Sequence, residues 1–221
     1  MVFWIACAAG LAVGYLLGSI PTGYLAGKLL RGVDIREQGS GSTGATNVLR
    51  TLGKWPALAV LVVDVLKGAA AVLFARWFYP WLADAAAVPA GLDAAVWTPW
   101  AVCLTGLAAL VGHARPVWLN FAGGKSVAAG LGLLLALAWP AGVGGLAVFA
   151  LTVAIFRFVS LGSILAAATA VALVWVLNEP LAYRLLVTAG GLYVVARHRA
   201  NIQRLIAGAE PRLGQRLEPQ G

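Results

Sequence analysis

The 221-residue chain is 61% hydrophobic and only 11% charged, and its mean hydropathy is +0.87. Charged residues make up about a quarter of an ordinary soluble domain, so this composition excludes one and indicates an integral membrane protein. The formal net charge is +8. Because the basic residues cluster beside a few loops between apolar stretches, we attribute the excess to membrane topology and expect no nucleic-acid partner.

Uncharged stretches long enough to cross a bilayer recur along the chain. The first, residues 1–27, contains no Asp, Glu, Lys or Arg. Its positive charges follow the apolar stretch instead of preceding it, so we interpret it as a retained helix and not as a cleaved signal peptide. The spans whose limits are clear are residues 2–27, 55–79, 95–113, 159–177 and 181–197.

The uncharged segment 126–156 is too long for one comfortable span. Pro140 and the glycines after it (Gly142, Gly144 and Gly145) favour a turn between two short helices. Two helices also keep every basic segment on one side of the membrane. The positive-inside rule therefore predicts an all-α integral membrane protein with seven transmembrane helices, its N-terminus outside and its C-terminus cytoplasmic.

We expect this chain to form one polytopic membrane domain over residues 1–206. Three cytoplasmic motif regions lie at about residues 36–54, 112–126 and 197–206, and a basic cytoplasmic tail follows over residues 207–221.

The first motif region contains the sequence GSGSTGATNVLR, residues 39–50. Backbone N–H groups near its glycines (Gly39, Gly41 and Gly44), hydroxyls such as that of Ser40, and the guanidinium of Arg50 are typical of an anion cradle. The glycines also spell GxGxxG, but a dinucleotide site requires a preceding strand, and here the flanking segments are transmembrane helices. The loop predicts phosphate binding at a membrane face.

The second motif region places Gly123, Gly124 and Lys125 before a helix. A Walker P-loop would need glycine where Leu119 stands, so that match fails. Two permissive backbone units beside a cation favour an anion site, although a helix cap with a topogenic lysine explains the same residues. His113, at the end of the third span, is a structural polar group or a ligand.

The third motif region follows the last span. His198 and Asn201 are three residues apart, so they share one face of a helix beside several arginines. They are suited to a phosphate or a polarised carbonyl; the alternative is a basic amphipathic segment on anionic lipid.

Two charged residues interrupt the second span. Asp64 and Lys67 have i,i+3 spacing, which allows them to neutralise each other in an apolar helix. We predict a structural ion pair that holds this helix to the bundle.

These segments together resemble a known family. GSGSTGATNVLR, GHARPVWLNFAGGKSVAAG, RFVSLGSI and HRANIQRL are similar in order and spacing to the bacterial acyl-phosphate:glycerol-3-phosphate acyltransferases (PlsY), over about residues 18–206. SIPTGY before the first of these segments and DVLKG after it fit as well. The resemblance implies seven spans in the bacterial inner membrane with the active site facing the cytoplasm. It also implies transfer of an acyl chain from acyl phosphate to the 1-hydroxyl of glycerol 3-phosphate, giving lysophosphatidic acid and phosphate without coenzyme A.

The resemblance also assigns roles to residues. The residues it implies in catalysis are Ser40, Arg50, Lys125, His198 and Asn201. Those it implies in substrate or phosphate binding are Gly39, Gly41, Gly44, Thr46, Asn47, His113, Gly123, Gly124 and Ser163, with Ser160 as the alternative to Ser163. The sequence departs from the family pattern at Ser42-Thr43, Ala122, Ser126 and Ala129.

An acyl phosphate is a mixed anhydride, so its leaving phosphate needs little protonation, and the enzyme must hold two anions together and stabilise an oxyanion. Either His198 or a substrate phosphate oxygen accepts the hydroxyl proton. We expect no cofactor or metal; the partners are the two substrates, the bilayer and the enzyme that produces acyl phosphate. A polytopic transporter of a phosphate ester or organic anion is the alternative function.

Overall fold

The computed structural model describes residues 1–86 and 88–215 of the chain. Arg216, which belongs to the predicted basic tail, lies outside the described residues. Within them the chain is helical, with two short 3-10 helices at Ile35–Glu37 and Val117–Leu119 and no strand. The α-helices are α1 Val2–Ser19, α2 Thr22–Arg31, α3 Ala45–Leu52, α4 Lys54–Ala85, α5 Ala94–Ala114, α6 Val127–Leu137, α7 Trp139–Phe156, α8 Val159–Val176, α9 Leu181–Arg197 and α10 Arg199–Ile206.

Five segments of the described chain are long and apolar enough to cross a membrane. They are Val2–Arg31, Lys54–Ala85, Ala94–Leu119, Trp139–Phe156 and Val159–Val176. The apolar helix α6 has 11 residues, about 16 Å at about 1.5 Å per residue, and α9 has 17. The predicted integral membrane class is therefore supported, while the number of seven spans and the orientation stay predictions.

The first predicted span is broken near its C-terminal end. α1 ends at Ser19 and α2 begins at Thr22, on either side of Pro21, which has no N–H to continue the helix. Lys67 Nζ donates a 2.7 Å hydrogen bond to the carbonyl of Ile20, and Thr22 Oγ1 donates one to Asp64 Oδ1. The carbonyl of Ile20 and the hydroxyl of Thr22 are therefore satisfied from α4.

The predicted ion pair in α4 is present. Lys67 Nζ lies 2.8 Å from Asp64 Oδ1, and both side chains are almost completely buried. His113 Nδ1 lies 3.6 Å from the same carboxylate oxygen, too far for a hydrogen bond. The pair joins α4 to the α1–α2 break, which gives a physical reason for two charges in an otherwise apolar helix.

The two helices predicted in segment 126–156 are α6 and α7, but the break lies at Ala138, before Pro140. Pro140 stands in the first turn of α7, where its missing N–H is tolerated, and the glycines expected in the turn lie inside α7. Arg76 Nη1 donates a 3.0 Å hydrogen bond to the carbonyl of Ala136 near the end of α6. Arg76 therefore supplies a partner where the short helix stops.

Backbone-to-backbone packing of α4 against α6 fixes the position of the second motif region. A Cβ on Gly132 would lie 1.8 Å from the carbonyl oxygen of Val65, and one on Gly68 would lie 2.0 Å from that of Ala129. Only glycine allows helices to approach so closely. Since α6 begins directly after the Gly-Gly-Lys turn, this contact also sets where that turn lies.

Candidate active site

The loop before α3 is organised by Asn47. Its side chain is 1% exposed; Nδ2 contacts the carbonyls of Ile35, Gln38 and Ser42 at 2.9 Å each, and Oδ1 accepts a 2.8 Å hydrogen bond from the N–H of Ser40. The amide is occupied in holding the loop. Asn47 therefore holds the loop in this structure and also lines the cavity, and its role near the phosphates stays a prediction.

The glycines of this loop shape the backbone. Gly39 and Gly41 have φ of +55° and +68°, a backbone region that residues other than glycine rarely adopt. The N–H of Gly41 donates to the carbonyl of Gln38, and that of Gly44 donates to Ser42 Oγ. These two amides are satisfied inside the loop, so the predicted phosphate binding by this loop would depend on its other groups.

The Gly-Gly-Lys turn folds back onto the end of α5. The N–H groups of Gly123 and Gly124 donate to the carbonyls of Ala114 and His113 at 3.1 and 3.2 Å. A Cβ on Gly124 would lie 2.3 Å from His113 Nε2. The two glycines therefore allow close packing on His113, their part in phosphate binding stays a prediction, and the following residue, Lys125, supplies a cation.

The side chain of Lys125 begins a hydrogen-bond chain that joins the second and third motif regions to α8 and to the segment after α10. Its Nζ donates to Asn201 Oδ1 at 2.5 Å, and Asn201 Nδ2 donates to Glu210 Oε1 at 2.7 Å. Ser160 Oγ donates to the same carboxylate oxygen at 2.7 Å, and Arg204 Nε lies 2.8 Å from Oε2. Glu210 is therefore a buried junction of α8, α10 and the chain after α10.

The chain after α10 returns to the turn between α7 and α8. The N–H of Leu213 donates to the carbonyl of Arg157 at 2.7 Å, and Arg157 Nη2 donates to the carbonyl of Leu213 at 2.8 Å. The guanidinium of Arg212 lies 5.5 Å from the centre of the Phe158 ring. These contacts place Glu210 over the site, so the described part of the predicted basic tail contributes a buried acid.

A cavity of about 560 Å³ opens beside this network. Its polar end is lined by Ser40, Thr46, Arg50, Lys125, Ser160, Ser163, Asn201, Arg204 and Glu210, and its other end by apolar side chains from α4 to α9. Arg50 is half-buried and forms no hydrogen bond or salt bridge with another described residue. The cavity therefore combines an unpaired guanidinium with an apolar chamber.

Burial shifts the ionisation of the charged groups at this end. It lowers the pKa of both Arg50 and Lys125, and the neighbouring cation of Arg204 adds to the effect while Glu210 opposes it. Burial alone would raise the pKa of Glu210, but hydrogen bonds from Ser160, Asn201 and Arg204 hold the pKa below its ordinary value. The site is thus a cluster of cations around one ionised carboxylate.

His198 lies next to this cluster without lining the cavity. It is buried at the junction of α9 and α10, and its Nδ1 lies 2.7 Å from the carbonyl of Val194. Because a carbonyl can only accept, Nδ1 carries the hydrogen and Nε2 is left as the acceptor in the neutral ring. Burial lowers the pKa of His198, which favours that neutral form.

The structure brings most of the predicted residues to one cavity. Ser40, Gly44, Thr46, Asn47, Arg50, His113, Lys125, Ser163 and Asn201 line it, as does Asp64. Gly39, Gly41, Gly123, Gly124, Lys67 and His198 do not. Both serines of α8 are present: Ser163 Oγ donates to the carbonyl of Val159 in its own helix, and Ser160 Oγ donates to Glu210.

Sequence reasoning missed Glu210 and Arg204. The available signal was an isolated acid in an arginine-rich segment: no Asp or Glu lies between Glu179 and Glu210. An acid among so many cations is expected to pair with one of them.

Comparison with known proteins agrees with this architecture. Residues 8–208 match the family model described as glycerol-3-phosphate acyltransferase. The chain is 69% identical to glycerol-3-phosphate acyltransferase 2 of Rhizobium johnstonii, covering 97% of this chain and 99% of that protein. It is 55% identical to the glycerol-3-phosphate acyltransferase of Acaryochloris marina, covering 98% and 96%.

Solved structures with the same fold lead to the same family. The crystal structure of PlsY (YgiH), an integral membrane glycerol 3-phosphate acyltransferase, in its glycerol 3-phosphate form, has a TM-score of 0.81 and 35% identity, covering 94% of this chain and 96% of that one. The lysophosphatidic acid form has a TM-score of 0.79 and 34% identity. These matches support the acyltransferase interpretation and not the transporter alternative. The chain belongs to the glycerol-3-phosphate acyltransferase family.

Proposed function

We propose that this protein transfers an acyl chain from acyl phosphate to the 1-hydroxyl of glycerol 3-phosphate at the cytoplasmic face of the bacterial inner membrane. The observation that carries the proposal is one cavity with a cation-rich end and an apolar end. An acyl phosphate has the same two parts, an anionic head and an apolar chain. Family membership supports the acceptor and the transfer of an acyl group.

The reaction balances without a cofactor. The 1-oxygen of glycerol 3-phosphate attacks the acyl carbonyl carbon, the bond from that carbon to the phosphate oxygen breaks, and the hydroxyl proton passes to an acceptor. The products are lysophosphatidic acid and inorganic phosphate. Phosphate leaves from a mixed anhydride without prior protonation, so positioning and charge stabilisation supply most of the catalysis.

We assign roles to the three cations according to whether each already has a charged partner in the structure. Arg50 lines the cavity wall without a hydrogen bond or salt bridge to another described residue, and its planar fork suits a phosphate group. Lys125 is bonded to the neutral amide of Asn201, so its charge stays available for the second phosphate or the oxyanion. Arg204 is paired with Glu210 and positions the network. Ser40, Thr46 and Ser163 offer hydroxyls beside these groups.

Two acceptors remain for the hydroxyl proton. His198 has an Nε2 lone pair when it is neutral, and a substrate phosphate oxygen is the other base. The variant His198→Gln keeps a hydrogen-bonding side chain but cannot become a cation. Activity near that of the wild type in this variant would exclude His198 as the base.

The orientation rests on charge. The basic motif regions lie at the end of the bundle where Lys125, Asn201 and Glu210 meet, and the positive-inside rule assigns basic loops to the cytoplasm. With α6 and α9 counted as spans, the seven helices place the N-terminus outside. We propose that the enzyme producing acyl phosphate delivers its product to this face.

The deciding experiment uses purified protein in lipid vesicles with glycerol 3-phosphate and either acyl phosphate or acyl-CoA. We expect lysophosphatidic acid from acyl phosphate alone. Product from acyl-CoA alone would overturn the donor assignment. Saturable glycerol 3-phosphate counterflow without product would overturn the acyltransferase function.

The role of Arg50 is tested by a charge-matched pair of variants. Arg50→Met removes the unpaired guanidinium from the cavity, while Lys54→Met removes one positive charge nearby that does not line it. We expect kcat/KM for glycerol 3-phosphate to fall about tenfold to a hundredfold in the first and little in the second. Equal losses would mean that only the surface potential matters.

A further inference from the structure

The apolar part of the cavity runs along the helices into the membrane. On α8 the lining of the whole cavity extends from Ser160 at the polar end, which bonds Glu210, to Ala170 in the apolar part, which is 2% exposed. That helical distance is about 15 Å at about 1.5 Å per residue. One leaflet is half of a hydrocarbon core of about 30 Å, or about 15 Å. The cavity, from its polar end to the bottom of the apolar chamber, is therefore about as deep as one leaflet.

Two glycines leave space in the wall of this chamber. A Cβ on Gly190 of α9 would meet only Leu110 Cδ1, at 3.8 Å, and a Cβ on Gly130 of α6 would meet only Leu110 Cδ2, at 4.0 Å. All three residues line the cavity. The other lining glycine on α9, Gly191, differs, because its Cβ would lie 2.7 Å from Val171. Gly190 and Gly130 therefore face open cavity, whereas Gly191 faces a neighbouring helix.

Gly190 lies halfway down the wall. On α9 the lining runs from Val194 near the cytoplasmic end to Leu186 at the deep end, and Gly190 is four residues, about 6 Å, from each. A large side chain at this point would close the lower half of the chamber. The polar end would keep its residues, because none of them is on this turn of α9.

We propose that Gly190, with Gly130 on the other side of Leu110, sets the acyl-chain length that the enzyme accepts. This inference rests on the proposed function, since it takes the occupant of the chamber to be the acyl chain of the donor. The absence of a side chain at Gly190 keeps the lower half open, so a leaflet-length chain fits. Filling that position excludes the end of a long chain and spares a short one.

The test measures kcat/KM for a series of acyl donors from short to long chains in Gly190→Leu and Gly190→Ala. The donor is acyl phosphate, or acyl-CoA if the wild type proves to use it. With this choice, an error in the identity of the donor can be told apart from an error in placing its acyl chain in the chamber. We expect the long-to-short ratio of kcat/KM to fall at least about tenfold in Gly190→Leu, the discrimination that one misplaced methylene gives in an apolar pocket. Gly190→Ala should shift the ratio less.

The matched control is Ala189→Leu. Ala189 is the adjacent residue of α9, is exposed on the outer surface and does not line the cavity. Ala189→Leu adds the same side chain at the same depth of the membrane, and its long-to-short ratio of kcat/KM should equal that of the wild type.

Three further results would decide the proposal. A long-to-short ratio unchanged in both Gly190 variants would overturn it, as would an equal shift in Ala189→Leu. If Gly190→Leu does not fold, as judged by gel filtration in detergent, Gly190→Ala and Gly130→Ala decide instead, and an unchanged ratio in both overturns the proposal.

Discussion

Asn201 and Glu210 are joined by a 2.7 Å hydrogen bond from Asn201 Nδ2 to Glu210 Oε1. The oxygen of the same amide accepts from Lys125. The amide of Asn201 thus connects the carboxylate of Glu210, after α10, to the ammonium of Lys125, before α6. Because Ser160 and Arg204 also bond Glu210, one carboxylate determines the geometry of the polar end of the cavity.

We predict that Glu210→Gln lowers kcat/KM at least about tenfold. An amide oxygen can still accept from Asn201 and Ser160, but the amide nitrogen then faces Arg204 Nε, so two donors meet and a charge-assisted bond is lost. The free energy of unfolding should fall by only about 1 kcal/mol, because the Arg204 side chain is 42% exposed. Steady-state kinetics and thermal unfolding in detergent measure the two effects.

Asp84→Asn is the control for this variant, since it neutralises an exposed acid at the far end of α4. It should leave both quantities unchanged. Wild-type kinetics in Glu210→Gln would show that the carboxylate does not organise the site.

Much of the fold follows from composition. Uncharged stretches predicted α5, α8 and α9 to within one residue at each end, because a bilayer imposes both length and polarity on a spanning helix. The turn in segment 126–156 was predicted, but its position was not. Pro140 can begin a helix as well as end one, and only the contact from Arg76 to Ala136 marks where α6 stops.

The geometry of the site was predicted less completely, and the omissions share one cause. Motif resemblance identified Arg50 and Lys125, whose side chains do line the cavity. It could not say that Asn47 turns inward to hold its own loop, nor that Glu210 returns to the site. Both facts depend on how the chain folds back over distances that local sequence does not encode.

The pH profile of kcat/KM should be flat near neutrality and fall on both sides. Burial lowers the pKa of His198 below its ordinary 6.5, so the ring is neutral near pH 7. The activity and stability that depend on the neutral ring are lost as pH falls through the lowered pKa. Burial lowers the pKa of Lys125 from its ordinary 10.5. Lys125 therefore loses its charge as pH rises through that lowered pKa, and activity falls on the alkaline side. Rates measured across the pH range report these free-enzyme ionisations.

The acid side of the profile has two possible origins, which His198→Gln separates. The second pKa of a substrate phosphate is about 6, so the substrate also titrates on the acid side of neutrality. If His198 is the titrating group, the residual activity of the variant loses its acid dependence. An unchanged acid limb would assign the titration to the substrate.

Asn47→Ala should loosen the first motif region. Removing the amide leaves the carbonyls of Ile35, Gln38 and Ser42 without their shared donor and frees the N–H of Ser40. We expect about 1–3 kcal/mol of destabilisation. Hydrogen exchange in residues 38–44 should become faster, and KM for glycerol 3-phosphate should rise.

Gln38→Ala is the matched control for Asn47→Ala, because it truncates an exposed amide in the same loop. Its exchange rates should resemble those of the wild type. If the Asn47 variant exchanges no faster than this control, the hydrogen bonds of Asn47 do not stabilise the loop.

The ion pair of α4 predicts an asymmetry between single and double variants. Asp64→Asn leaves Lys67 buried without its counter-charge, and breaking a buried pair in this way costs about 3–5 kcal/mol. The double variant Asp64→Leu, Lys67→Met removes both charges and should recover part of that loss. Recovery should be incomplete, because the carbonyl of Ile20 loses its donor and the hydroxyl of Thr22 its acceptor, together about 1–3 kcal/mol.

Reversible unfolding in mixed micelles measures these free energies, with Asp84→Asn as the same substitution at the exposed end of the same helix. That control should change the free energy of unfolding by less than about 0.5 kcal/mol. If Asp64→Asn is as harmless as Asp84→Asn, the pair does not hold α4 to the α1–α2 break. If the double variant is no more stable than Asp64→Asn, the expectation that the unpaired charge of Lys67 outweighs the lost hydrogen bonds is wrong.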